Sequence, residues 1–376
     1  MTPGDGEVED VTIAHDHRTL FFSSNLKDSD RRHLWKINAD GSAQFLTPGV
    51  GIETSPAPIG ETSALAYLGS DATHPMQAMV RLSDDSTKEL APDTIPVSFP
   101  AAQLVVPQSV IILTADGMAL HAQLFLPKNP PTGSTHPALV HFHGGSRRQM
   151  LLGFHYISVY SNEYAMNQYF ANHGYVVISV NYRSGIGYGL NFREPQDYGA
   201  TGASEFADVT AAGHYLRGRP DVDAKRIGIW GKSYGGYLTA LGLARASDLF
   251  AAGVDINGVH DWSELLKRPP PAYDANGRYA TAMRIAFESS PVASIATWRS
   301  PVLLIHGDDD RNVPFDQTVE LVRALRAQRV DFEQLIFPNE VHNFLLHKHW
   351  IEAYEAMDGF FDRKLLHSAA MGPKQP

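Results

Sequence analysis

The apolar run Ile227-Gly228-Ile229-Trp230 leads straight into Gly231-Lys232-Ser233-Tyr234-Gly235-Gly236. A strand that turns into a helix between neighbours this small pushes the serine hydroxyl out of the turn, where a substrate carbonyl can reach it. The stretch Tyr237-Leu238-Thr239-Ala240-Leu241-Gly242-Leu243-Ala244 then supplies the helix, so Ser233 is the candidate nucleophile. A hydroxyl is a weak nucleophile, and it needs an imidazole base whose tautomer and charge a third group maintains. His342 lies in Asn339-Glu340-Val341-His342-Asn343-Phe344, just after the apolar run from Asp331 to Pro338. Three carboxylates, Asp308, Asp309 and Asp310, close the run Pro301-Val302-Leu303-Leu304-Ile305-His306-Gly307. Position alone leaves all three open as the orienting acid, and the chain order of serine, acid and histidine suits a nucleophile elbow on an open sheet.

Those loops need a rigid sheet behind them. A hairpin from Val110 to Thr114 and Leu120 to Leu126 turns at Asp116-Gly117. Strand-like runs follow at Ala138 to Phe142, Tyr175 to Asn181, Arg226 to Trp230, Gly253 to Ile256, Val302 to Ile305 and Phe332 to Phe337. Helical patterns intervene near Glu163 to Asn172, Glu205 to Leu216, Tyr234 to Arg245, Phe315 to Gln328 and Lys348 to Lys364. Alternation of this kind predicts an α/β fold, a mostly parallel sheet with helices on both faces. Residues 1–104 differ in texture. Short β-type runs at Thr19 to Ser24, His33 to Asn38 and Gln44 to Thr47 recur at Ala64 to Leu68, Gln77 to Leu82 and Lys88 to Leu90. Phe22 to Tyr67 and Asp40 to Asp84 each span roughly 45 residues, the length of a four-stranded propeller blade; a small all-β domain is the alternative. The expected division is 1–104 and 105–376.

From about residue 105 to 368 the chain resembles the prolyl oligopeptidase family of serine peptidases, within the α/β-hydrolase superfamily. The resemblance rests on Asn181-Tyr182-Arg183-Ser184-Gly185-Ile186-Gly187-Tyr188-Gly189, on Arg226 to Gly236, and on Leu304-Ile305-His306-Gly307-Asp308-Asp309-Asp310-Arg311-Asn312-Val313-Pro314. In the family's third pattern the acid stands three residues after the glycine, which selects Asp310. His141-Phe142-His143-Gly144-Gly145 is similar to the family's HGGP loop, with Ser146 in place of proline. It implies an oxyanion hole made by the N–H groups of Tyr234 and Gly144, with His143 as a further donor or as a structural residue. The resemblance also implies an apolar pocket before the scissile bond, lined by Val259, Trp262 and Val313, with Leu265 where proline-selective relatives carry an aromatic ring. Asn312 matches an asparagine that binds a peptide carbonyl, although a turn-stabilising role is equally open. A propeller beside the hydrolase part is implied too, but about two blades fit. The chain therefore reads as part of a longer protein, and alone it is expected to self-associate through unpaired strand edges.

At 376 residues, with 43% hydrophobic and 19% charged residues, the composition is that of a soluble globular protein with a sizeable core. A net charge of −10 and the lack of Lys/Arg clusters beyond pairs such as Arg31-Arg32 and Arg147-Arg148 oppose nucleic-acid binding. Zero cysteines remove disulfides, thiolate metal sites and cysteine catalysis, and leave the compartment open. No run of 18 apolar residues exists to span a membrane, and Met1 to Glu7 reads as no signal peptide. The proposed chemistry needs neither metal nor cofactor. The expected activity is hydrolysis of short peptides through an acyl-enzyme. A carboxylesterase using the same triad is the alternative, and a non-catalytic interaction protein the remote one.

Overall fold

The computed structural model describes residues 6–131, 133–267 and 277–367. The first two sheets are antiparallel meanders. Strands β1 (Val8–Ile13), β2 (Leu20–Ser24), β3 (His33–Ile37) and β4 (Ala43–Phe45) pair in chain order, and so do β5 (Ile52–Pro58), β6 (Leu65–Ser70), β7 (Gln77–Arg81) and β8 (Thr87–Glu89). Each is a four-stranded unit of propeller type. Alternation decides which side chains turn inward: Phe21 and Leu34 from one sheet meet Leu65 and Tyr67 from the other in a shared apolar cluster. Two strands were not read from the sequence. Strand β1 carries acids within Val-Glu-Asp-Val-Thr-Ile, and β5 contains Pro56 and Pro58, residues that argue against a central strand.

The second half is an eight-stranded sheet of β9 (Gln108–Leu113), β10 (Ala119–Phe125), β11 (His136–Phe142), β12 (Val176–Asn181), β13 (Val222–Lys232), β14 (Ala252–Ile256), β15 (Val302–Gly307) and β16 (Phe332–Phe337). Its order is β16-β15-β14-β13-β11-β12-β10-β9, antiparallel only at the β9 and β10 end. Helices cross between strands: α1 (Ser158–Asn172), α2 (Leu190–Arg193), α3 (Phe206–Arg217), α4 (Tyr234–Arg245), α5 (Trp262–Leu265), α6 (Arg278–Glu288), α7 (Asp316–Gln328) and α8 (His347–Phe361). The predicted α/β-hydrolase architecture is thus present, with two apolar clusters, one on each face of the sheet. Strands β11, β12, β14 and β15 are buried along their whole length apart from His136, as expected for parallel strands covered on both sides. Among the described residues no helix is long and apolar enough to cross a membrane.

The blades touch the catalytic half at several places, among them Asn25 Nδ2 donating to the Gly187 carbonyl at 2.8 Å and the Tyr188 hydroxyl to Asp30 at 2.8 Å. The segment between β11 and α1 is anchored to the blades: Arg32 Nη2 donates to Gln149 Oε1 at 3.0 Å, Ser70 Oγ to the Phe154 carbonyl at 2.6 Å, and Tyr156 Oη to Glu9 at 2.8 Å. These bonds fix the path of the chain just beyond the Gly144-Gly145 loop.

Candidate active site

Strand β13 ends at Lys232, and α4 begins at Tyr234. Ser233 alone makes the turn, at φ 59° and ψ −117°, a conformation costing on the order of 1–3 kcal/mol for a residue with a side chain. Small neighbours make the turn possible. A Cβ on Gly231 or Gly235 would collide with the Phe142 carbonyl oxygen, and one on Gly236 with Asp255. The Ser233 N–H is held by the Ile256 carbonyl at 2.8 Å, so the strained residue is fixed on the sheet while its hydroxyl projects.

His342 Nε2 lies 2.9 Å from Ser233 Oγ, and its Nδ1 lies 2.6 Å from Asp310 Oδ2. The three residues come from the loops after β13, β15 and β16, at the carboxyl ends of parallel strands. Asp310 is buried. Its Oδ1 accepts the N–H groups of Asn312 and Val313 at 2.8 and 2.9 Å. Burial alone would raise its pKa, but hydrogen bonds from His306 and His342 and the attraction of His342 hold it well below the usual carboxylate range. An ionised Asp310 fixes the proton of a neutral His342 on Nδ1 and leaves Nε2 free to accept from serine. Burial pushes the His342 pKa below its ordinary value; the hydrogen bond that Nδ1 donates to Asp310 opposes this, and the charge of Lys232 adds to it.

The other two aspartates face elsewhere. Asp308 Oδ1 accepts the Asn339 N–H at 2.6 Å, and Asp309 pairs with exposed Arg311 at 3.2 Å. Several supporting residues carried no sequence signal. His306 Nε2 stands 3.0 Å from the Val313 carbonyl and 3.3 Å from Asp310, while its Nδ1 meets Thr318 Oγ1 at 2.7 Å. Two acceptors at Nε2 place the proton there. Asn257 Nδ2 donates to the His342 carbonyl at 2.8 Å, fixing the histidine loop. Glu205, buried, takes the Tyr234 hydroxyl at 2.5 Å and the Gly199 N–H at 2.9 Å.

Beside Ser233 opens a cleft of about 480 Å³, lined by Gly144, Tyr160, Tyr234, Trp262, Asn312 and His342 among others. As the first residue of α4, Tyr234 has an N–H without an intrahelical acceptor. Gly144 packs against Ser233: a Cβ there would sit 3.5 Å from that of the serine. The His143 ring is directed away from this role. It is buried, stacks on Tyr182 and bonds the Gly144 carbonyl through Nδ1 at 2.7 Å, and burial pushes its pKa down to about 3.

Of the five residues expected to form the substrate pocket, Trp262 and Asn312 line the cleft. Val259 and Val313 are buried in the core, and Leu265 packs against it behind them. The lining also carries Arg147, Arg148, Glu163 and Lys232, so the cleft is more polar than an apolar pocket. Apolar residue type marks core and pocket alike, which is why sequence could not separate them. No cluster of metal-ligating side chains occurs among the described residues.

A model of the prolyl oligopeptidase family matches residues 161–368. The dipeptidyl aminopeptidase BIII of Pseudoxanthomonas mexicana is 28% identical over 257 residues, which cover 64% of this chain and 36% of that protein. The venom dipeptidyl peptidase 4 of Vespa velutina is 27% identical, over 91% of this chain and 45% of its own length. The acylaminoacyl peptidase structure from Pyrococcus horikoshii superposes with a TM-score of 0.76 at 25% identity, covering 96% of this chain and 56% of that one. This chain therefore spans about a third to a little over half of the proteins it matches.

Proposed function

The chain belongs to the prolyl oligopeptidase family, and from that premise we propose that it is a serine peptidase acting on short peptides through an acyl-enzyme. The observation that carries the reading is the continuous hydrogen-bonded series from Ser233 through His342 to Asp310, at 2.9 and 2.6 Å. Ser233 Oγ attacks the scissile carbonyl as Nε2 of His342 takes its proton. The imidazolium is stabilised by ionised Asp310, which itself stays unprotonated. Negative charge develops on the carbonyl oxygen, and the N–H groups of Tyr234 and Gly144 are the donors that meet it. His342 then protonates the departing amine, water enters, and the same base activates it to release the acyl group.

On this reading Trp262 supplies the apolar wall beside the acyl residue, with Val259, Leu265 and Val313 as its backing, and Asn312 donates to a peptide carbonyl. Residues 105–376 carry the chemistry. Residues 1–104 form the separate unit that braces the loop before α1. Two relatives named as dipeptidyl and acylaminoacyl peptidases support peptides over other acyl compounds. Rates on chromogenic aminoacyl and peptidyl amides, set beside short acyl esters, decide the matter. Amide turnover that disappears in Ser233→Ala is expected. Ester turnover with no amide turnover at all would make the protein a carboxylesterase.

A further inference from the structure

Lys232, at the junction of β13 and the elbow, plays no part in the mechanism above, yet it is almost completely buried, at 4% exposure, and lines the cleft. Its backbone is fixed by parallel pairing with Ile256. Its Nζ donates to Asn343 Oδ1 at 2.8 Å and stands 6.0 Å from the centroid of the Trp350 ring. Asn343 is the residue after His342. One side chain thus ties the strand that presents the nucleophile to the loop that presents the base. Burying an ammonium is unfavourable unless it is compensated. The compensation here comes from carboxylates beyond ion-pair distance, Glu163 from α1 and Asp310 from the loop after β15.

We propose that Lys232 is a positioning residue for His342: it tethers the histidine loop through Asn343, and its positive charge opposes protonation of the imidazole. This inference rests on the triad reading above. The charged groups that face His342 are few. Asp310 favours the imidazolium, whereas Lys232 from β13 opposes it; His306 from β15 is the other titratable group beside them. Burial brings the lysine down to about 8, against the pull of Glu163 and Asp310, so below that pH it is cationic. A fixed positive charge then faces the histidine throughout the range in which the histidine itself titrates. The base stays neutral, and competent, to lower pH than an unassisted histidine would.

The sign follows directly. Removing the ammonium removes an influence that lowers the histidine pKa, so the acid limb of kcat/KM moves to higher pH. In Lys232→Met and Lys232→Gln the limb is expected to rise by on the order of one pH unit, about a tenfold loss of rate on its acid side. Lys232→Arg keeps the charge and should leave the limb within about 0.3 unit. A role in packing alone would lower the plateau without moving the limb. The two neutral variants differ in polarity, so Lys232→Gln keeps the test open if Lys232→Met does not fold.

The same profile is measured a second time as the rate of Ser233 phosphonylation by a fluorophosphonate. That rate needs the neutral base but not any particular substrate. If amides are not cleaved but phosphonylation shows the shift, the peptidase reading fails and this inference stands. An unmoved limb in both neutral variants overturns the inference, as does an equal shift in Lys232→Arg. Absence of phosphonylation altogether overturns the inference together with the triad reading.

Discussion

Ser233→Ala and His342→Ala should each lower kcat on a peptidyl amide by on the order of 10⁴-fold or more, with circular dichroism unchanged. In the proposed mechanism the serine is activated only through the imidazole 2.9 Å away, so either loss removes the nucleophile in practice. Asp310→Asn should be similarly damaging. An amide at that position can present its NH₂ to Nδ1 of His342, favouring the tautomer with its proton on Nε2, which cannot accept from serine. Asp308→Asn and Asp309→Asn should change kcat less than about threefold, because they serve a turn and an exposed pair. Greater damage from either of these than from Asp310→Asn would mean that the wrong carboxylate has been placed behind the histidine.

The second large effect is on folding. Gly235→Ala adds one carbon, which would collide with the Phe142 carbonyl oxygen of the adjacent strand β11. Neither side can yield cheaply, since one is backbone of the buried first turn of α4 and the other backbone of the buried strand β11. A loss of about 3 kcal/mol or more is expected, seen as a lower urea midpoint or as failure to accumulate soluble protein. Gly359→Ala is the control. It lies within α8, and its new carbon would meet only the end of the Arg363 side chain, at 3.4 Å. Alanine is the better helix former, so this variant should match or slightly exceed the parent in stability. Equal midpoints for the two variants would refute the close-packing account of the elbow.

Much of this molecule is legible in its sequence because its motifs are local. Ser233 with its glycines, the Asp308 to Asp310 run with the strand before it, and His342 with the strand before it each stand out within about ten residues, and only the resemblance to the family's pattern singles out Asp310 among the three aspartates. Buried parallel strands were equally plain, as continuous β-branched and apolar runs. Elements with mixed composition were harder. The polar start of β13, Asp223 to Lys225, lies outside the run from Arg226 to Trp230 that marked the strand, and α6, which follows a Pro-rich stretch, was not read as a helix. Residues 268–276, within that stretch, lie outside the described residues. What stayed hidden are contacts across long sequence separations. Glu205 meets the Tyr234 hydroxyl, Lys232 meets Asn343, and Arg32 meets Gln149. A buried polar residue gives no pattern of its own until its partner is in place.

A Ser233 hydroxyl activated by His342 should react with an electrophile that mimics the acyl centre. Peptide mapping by mass spectrometry after reaction with a fluorophosphonate tests this most directly. A single covalent adduct is expected on the peptide containing Ser233, formed rapidly by the parent protein and at least about a hundredfold more slowly by His342→Ala. An adduct on another residue, or equal labelling of the parent and the His342→Ala variant, would contradict it.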